Sequence, residues 1–176
     1  MATNRPEETE YAPSYEQYVS LVPEEDIMDV LEAQEDELKQ LAASIHEEKG
    51  TFRYAPGKWS IRELLGHLCD AERVFGYRTF CISRGDPSSL PGFDENRYVS
   101  NGDYDMRTIR QVVAEFSTLR RANMTVFERL TDKEWARFGT ANDVTVSVRA
   151  LAYIVAGHFR HHLGVLRDRY HAGVRE

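Results

Sequence analysis

Three histidines are the residues of this sequence whose type and spacing suit chemistry. His158 and His162 lie four residues apart in the run GHFRHH near the C-terminus. Residues at this spacing share one face of a helix about one turn apart, so their imidazoles can share a metal ion. His67 holds an equivalent position in the apolar stripe of an earlier segment. Three histidines with an open position are the ligand number of a catalytic centre, so the sequence predicts a divalent metal ion at His67, His158 and His162.

A metal-free histidine cluster is the alternative for these three residues, since a single buried histidine is usually a satisfied core residue. Burying three imidazoles among apolar side chains leaves polar nitrogens without partners, at roughly 1–3 kcal/mol for each. A metal ion satisfies all three together, so the metal site is the favoured interpretation. The ligand type does not distinguish zinc, nickel, iron or manganese.

Other polar residues are candidates for a pocket around the metal. Gln34 and Asn123 interrupt two further apolar stripes, which indicates either one polar layer lining the metal pocket or a misassigned helix register. Asp70 follows His67 by three residues. Its carboxylate either orients a histidine or pairs with Arg73 at the surface.

Four more residues near these positions are weaker candidates. His161 is rotated by about 60° from the first histidine of the pair, so it flanks the site or faces solvent. Asp94 and Glu95 lie in a long connection and either reach the site as acid or base or stay in solvent. Cys69 is rotated by about 200° from the histidine two residues earlier, which makes it a poor fourth ligand.

Several catalytic motifs are absent from the sequence. The run between the paired histidines lacks the glutamate of the zinc-protease motif. The Glu-x-x-His pairs of di-iron bundles are missing as well. Neither a glycine-rich phosphate loop nor a Ser-His-Asp arrangement is found.

Four amphipathic segments must position these side chains. Apolar residues recur at steps of three and four over 24–45, 60–84, 107–130 and a last segment that ends near 170. Such stripes predict core-facing helices and therefore an all-α four-helix bundle without a convincing strand. The connection 85–106 is unusually long for a compact domain, and such connections are often functional.

Local signals mark the starts of these helices. The acidic residues around Glu25 suit the positive end of the first helix dipole. Ser60 with Glu63 three residues later forms a capping box at the second start. Thr145 or Ser147 caps the fourth helix.

Composition restricts the class of protein. The 176 residues are 41% hydrophobic and 29% charged, with a net charge of −7, as in one globular domain. The absence of a basic patch argues against nucleic-acid binding. The absence of a signal-peptide core and of a transmembrane-length run predicts a cytoplasmic protein without a membrane segment. Cys69 and Cys81, about 18 Å apart on one helix, are predicted to be reduced thiols.

The domain boundaries follow from the same pass along the chain. A polar tail at 1–22 is expected to pack on the body through its tyrosines. The bundle occupies 23–171, and 172–176 form a C-terminal tail.

Three motifs in this order resemble the DinB-like superfamily, and the resemblance extends over about 18–170. They are KWSIRELLGHL at 58–68, PGFDE at 91–95 and GHFRHH at 157–162. The resemblance implies an antiparallel four-helix bundle with a long crossover. It also implies a metal site formed by His67, His158 and His162, which typically holds zinc or nickel, and homodimers are common.

Function follows less directly from this resemblance. Some members transfer or isomerise groups with low-molecular-weight thiols, so such a thiol is a candidate cofactor and a small electrophile the expected substrate. Thiol transfer is our first expectation for a metal-dependent enzyme, and hydrolysis is the second. The alternative is a non-catalytic metal-binding module of the stress-response or interaction type.

Overall fold

The computed structural model describes residues 4–24 and 26–173. Their helices and strands follow one another as α1 (Glu16–Val19), α2 (Ile27–Ala43), α3 (Ile61–Ser83), β1 (Ser89–Leu90), α4 (Glu95–Asn101), α5 (Ile109–Phe127), α6 (Asp132–Trp135), β2 (Phe138–Ala141), β3 (Val144–Ser147) and α7 (Val148–Tyr170).

Four long helices form the body of the molecule. Helix α3 packs against α5 and α7, and α2 packs against the same two helices from the other side. The consecutive helices α2 and α3 are therefore diagonal in the bundle, and the long connection after α3 crosses over to α5. The predicted all-α, antiparallel four-helix bundle with a long crossover is confirmed.

The capping signals account for where these helices begin. Ser60 and Glu63 exchange both hydrogen bonds of the predicted capping box, and Thr108 makes the equivalent box before α5. Ser147 is the N-cap of α7, because its hydroxyl accepts from the backbone of Ala150. Helix α2 begins later than predicted. The predicted role of Glu25 in its first turn lies outside the described residues.

A small sheet contradicts the prediction of a chain without strands. Strands β2 and β3 form an antiparallel hairpin, and β1 pairs with β2 in parallel. The hairpin turn is formed by Asn142 and Asp143, both at positive φ, which favours a tight two-residue connection. The strands escaped the sequence analysis because they are only two to four residues long.

The crossover between α3 and α5 is also more regular than predicted. It contains β1 and helix α4, which packs on α3. Asp94 caps α4, because its carboxylate accepts from the backbone of Arg97. The side chain of Arg78 donates to the carbonyl of Pro91 at 2.8 Å and so fixes the start of this connection to α3.

Residues 4–24, here called the N-terminal segment, pack along α7. Val19 is fully buried, and Glu10 bonds to Ser147 and Arg149 near the start of α7. Arg160 of α7 donates to the carbonyl oxygen of Leu21 at 2.8 Å. The segment is thus held against the bundle at several points.

No helix among residues 4–24 and 26–173 combines the length and the apolar character that crossing a membrane requires.

Candidate metal centre

Two neighbouring helices bring the three predicted ligands together. His67 lies on α3, and His158 and His162 lie one turn apart on α7. Because α3 packs against α7, the three imidazoles meet inside the bundle. These three residues, here called the histidine cluster, offer nitrogen atoms that all lie within 4.8 Å of one another.

The geometry of the histidine cluster fits a metal ion. Nε2 of His158 lies 3.0 Å from Nε2 of His67 and 3.1 Å from Nε2 of His162. Two ligand nitrogens about 2.1 Å from a tetrahedral zinc ion would be about 3.4 Å apart, close to these separations. A neutral Nε2 carries either one proton or one lone pair, so His158 can direct a good hydrogen bond to only one of its two neighbours.

Burial keeps the histidine cluster uncharged. Desolvation lowers the pKa of His67 to about 4. Desolvation is the largest cause that lowers the pKa of His162 to about 2, and electrostatic repulsion from His67 is the second. Burial also holds the pKa of His158 well below its ordinary value. Neutral imidazoles present the free lone pairs that metal binding requires, so at neutral pH no proton has to be displaced.

Aromatic side chains surround the cluster. Trp59 lies over His67 and His162, with ring centroids 4.8 and 6.4 Å away. Tyr18 of the N-terminal segment meets His158 edge-on at 5.4 Å, and Phe75 approaches the same imidazole at 6.0 Å. Nδ1 of His67 and Nδ1 of His162 are buried and have no hydrogen-bond partner within the described part of the chain.

A cavity of about 270 Å³ opens next to His162. This volume lies just below the usual range of small-molecule sites. Its wall is mixed, with aromatic and aliphatic residues beside polar ones that include Lys58 and Asn96. The lining residues are Tyr54, Gly57, Lys58, Trp59, Leu64, Asn96, His161, His162, Val165 and Tyr170.

His161 flanks the histidine cluster, which is one of the two positions that the sequence left open for it. It is exposed, lines the cavity and packs edge-on against His162 at 5.0 Å and against Tyr18 at 5.7 Å. It is not among the three residues whose nitrogens converge.

Asp70 has a different partner from those expected. Its carboxylate accepts from the hydroxyl of Tyr104 at 2.7 Å, and Arg73 pairs with Glu115 instead. The pKa of this carboxyl is raised, and burial is the largest cause. Asp70 therefore fixes the crossover against α3 through Tyr104. No described hydrogen bond joins it to a histidine.

Gln34 and Asn123 do form a polar layer, but its centre is not the metal pocket. Arg120, which is 1% exposed, donates to Glu72 at 2.6 Å and to Gln34 at 2.9 Å. Asn123 donates to the second carboxylate oxygen of Glu72 at 2.8 Å. These four residues are here called the arginine cluster. The prediction that Gln34 and Asn123 line the metal pocket is wrong, because both side-chain amides form hydrogen bonds with the buried ion pair of Arg120 and Glu72 instead.

The arginine cluster connects all four bundle helices. Arg120 of α5 also donates to the carbonyl of Leu31 on α2 at 2.8 Å, and Gln34 donates to the carbonyl of Ala156 on α7 at 2.9 Å. The guanidinium of Arg120 lies over the rings of Phe116 and Phe159. Ala156 comes two residues before the first ligand of α7, so the cluster fixes the helix that carries the histidine pair.

The remaining candidates lie outside the histidine cluster. Asp94 is exposed and caps α4, and Glu95 is exposed on the same helix. Glu95 still acts on the surroundings of the site. Desolvation is the largest cause of the raised pKa of Tyr18, and the negative charge of Glu95 is the second. Cys69 is buried with its thiol 3.5 Å from the carbonyl of Val112, and Cys81 is also a buried free thiol.

The sequence decides the family of this chain. A sequence profile of the DinB superfamily matches residues 30–166, more than half of the chain. The chain belongs to the DinB superfamily. Its three resemblance motifs supply the cap of α3, the cap of α4 and the histidine pair of α7 of this DinB protein.

A solved structure shares the fold of this DinB protein. YfiT from Bacillus subtilis is described as a probable metal-dependent hydrolase with an unusual four-helix bundle topology. The two chains are 19% identical with a TM-score of 0.71, and the match covers 84% of this chain and 87% of YfiT. At this identity the likeness establishes the fold. A search of curated proteins gives no match.

Two aromatic residues of the site were not singled out in the sequence of this DinB protein. Trp59 stood within the motif at 58–68, directly before the capping serine, which was the available signal. Tyr18 was one of several tyrosines expected to dock on the body. No sequence signal distinguished it, because its contact with the histidines depends on how the N-terminal segment packs.

Proposed function

We propose that this DinB protein is a metal-dependent enzyme that hydrolyses a small electrophile. The observation that carries the proposal is the convergence of three imidazoles next to a small cavity. His67, His158 and His162 would hold the ion, and three protein ligands leave room for a reactant. Zinc and nickel are the ions we favour, on the family resemblance.

A bound divalent ion would supply Lewis acidity, which lowers the pKa of a nucleophile and polarises the group under attack. The chain itself contributes three functions. Trp59 and Tyr170 line the cavity with aromatic rings and would restrict the access of water to it. Asn96 lines the cavity and would offer hydrogen-bonding groups to a polar substrate. The arginine cluster keeps α3 and α7 in register, so the ligands stay preorganised.

The size of the cavity favours hydrolysis over thiol transfer. A thiol cofactor and a second substrate would have to share about 270 Å³, whereas water needs no pocket of its own. This reverses the order in which we ranked the two reactions from sequence. The description of YfiT as a probable metal-dependent hydrolase agrees with the new order. Transfer to a low-molecular-weight thiol is the second candidate, supported by the family resemblance.

Elemental analysis tests the first step of the proposal. Protein purified without a histidine tag is expected to hold about one equivalent of divalent metal, and His158→Ala and His162→Ala are expected to hold almost none. The matched control is His161→Ala, which removes an exposed neighbour and should retain the metal. Equal metal contents in all four proteins would overturn the assignment of the ligands.

Turnover tests the second step. The metal-loaded protein is to be assayed on uncharged esters and amides, and in parallel on electrophiles with added small thiols. Activity should disappear on chelation and return with the metal. A metal-loaded protein inactive on both panels would instead support the non-catalytic module. The homodimer stays a prediction from the resemblance.

A further inference from the structure

We infer that Tyr18 is a specificity-determining residue, because its ring bounds the histidine site on the side of His158 and His161 and limits the size of ligand that reaches the metal. The inference rests on the proposed function. It adds to that function a wall supplied by the N-terminal segment.

The position of the Tyr18 ring is the first observation. It lies edge-on to His158 at 5.4 Å and to His161 at 5.7 Å. Trp59 covers the other two members of the histidine cluster. The cluster is therefore bounded by one aromatic ring from the loop before α3 and by another from the N-terminal segment.

The backbone of Tyr18 approaches α7 unusually closely. A Cβ atom on Gly157 would lie 1.9 Å from the carbonyl oxygen of Tyr18, so only glycine permits this packing. Gly157 directly precedes the ligand His158. The notch that it leaves in α7 thus receives the one residue of the segment whose ring meets two histidines.

Hydrogen bonds on both sides of α1 hold the segment in this position. Glu10 accepts from Ser147 at 2.7 Å near the start of α7. Further along, Arg160 pairs with Glu24 at 2.7 Å, and the hydroxyl of Tyr153 donates to the carbonyl of Glu24 at 3.0 Å. These anchors restrict the movement of Tyr18 away from the site.

Tyr18 lies outside the part of the chain that the DinB profile matches. The DinB profile begins at residue 30, whereas the wall comes from residue 18. Two proteins with the same three ligands can therefore admit different ligands if their N-terminal segments differ. For this chain the ring predicts a small ligand without a bulky group on the α7 side.

Cobalt-loaded protein gives a direct readout of ligand access. Titration with 2-mercaptoethanol, thiophenol and 2-naphthalenethiol measures, through the sulfur-to-cobalt absorption band, the affinity for ligands of increasing size. Tyr18→Ala is expected to bind 2-naphthalenethiol roughly tenfold more tightly than the parent, with the affinity for 2-mercaptoethanol unchanged. Tyr18→Phe should behave like the parent, because the wall is the ring.

Two further variants separate this effect from general loosening. Tyr15→Ala removes another half-buried tyrosine of the same segment, one that contacts Arg78 and not a histidine, and it should leave the selectivity unchanged. Gly157→Ala displaces the segment without altering Tyr18 and should reproduce the selectivity of Tyr18→Ala.

The outcomes distinguish this inference from the proposed function. Cobalt uptake with the same thiol selectivity in the parent and in Tyr18→Ala overturns the inference alone. A parent protein that takes up no cobalt overturns the proposed function and the inference with it. A selectivity change in Tyr15→Ala equal to that in Tyr18→Ala also overturns the inference.

Discussion

Two buried polar clusters lie in the same bundle and differ in how their hydrogen-bonding groups are satisfied. In the arginine cluster, the guanidinium of Arg120 donates to Glu72, Gln34 and a backbone carbonyl. In the histidine cluster, three nitrogens face one another, and Nδ1 of His67 and Nδ1 of His162 have no described partner. A cluster whose partners are all supplied by the protein stabilises the fold. A cluster whose converging Nε2 atoms have only one another as partners is suited to bind something else.

The largest expected effect breaks the satisfied cluster. Arg120→Ala leaves the carboxylate of Glu72 buried without its cation, which should lower the free energy of unfolding by about 3–5 kcal/mol. Urea denaturation measures the loss. The control is Arg121→Ala, whose side chain is 68% exposed, and it should change stability by no more than about 0.5 kcal/mol. Similar losses for both variants would contradict a structural role of the arginine cluster.

The pH dependence of metal-free protein examines the other cluster. Burial lowers the pKa of His67 from 6.5 to about 4, so between these values the unfolded chain binds the proton that the folded chain does not. Stability is therefore retained above pH 6.5 and falls as the pH decreases, by about 1.4 kcal/mol per pH unit and about 3 kcal/mol in total for this histidine.

The matched variant for this prediction is His67→Leu. Its urea-denaturation stability, measured with chelator present, should nearly equal that of the parent at pH 8 and exceed it increasingly from pH 6.5 to pH 4. Parallel pH profiles for the two proteins would show that His67 is not buried in its neutral form.

A smaller effect is expected at the edge of the arginine cluster. Asn123→Ala removes two hydrogen bonds, to the carboxylate and to the carbonyl of Glu72, and should cost about 1–2 kcal/mol of stability. The exposed Thr118 on the same helix supplies the control variant Thr118→Ala. The metal content of folded Asn123→Ala should match the parent. Loss of metal in this variant would return Asn123 to the pocket where the sequence analysis placed it.

The comparison also explains which features could be predicted from the sequence. The histidine pair and the capping box of α3 depend on residues three or four apart, and local spacing determines both. The position of His67 on an apolar stripe was sufficient to assign it to the interior. The overall bundle followed from four such stripes of regular period.

The arginine cluster could be predicted only in part. Gln34 and Asn123 indicated a polar layer because they interrupt apolar stripes. Arg120 and Glu72 were missed because charged residues on amphipathic helices are usually solvated, and burial becomes favourable only when a partner on another helix is present. The hairpin of β2 and β3 was missed because strands of four residues are too short to show a clear alternation of apolar and polar side chains. Asn142 and Asp143 nevertheless offered a turn signal.

The separation of the ligands along the chain determines when the site can form. His67 and His158 lie 91 residues apart, although their helices are neighbours. At usual rates of translation the ribosome needs roughly 5–20 s to make the intervening residues. During that time the nascent chain presents only His67 of the three ligands. A solitary imidazole is a weak competitor for a cellular metal ion. On the proposed assignment, loading follows the synthesis of α7, and the ion then closes a loop of more than half the polypeptide.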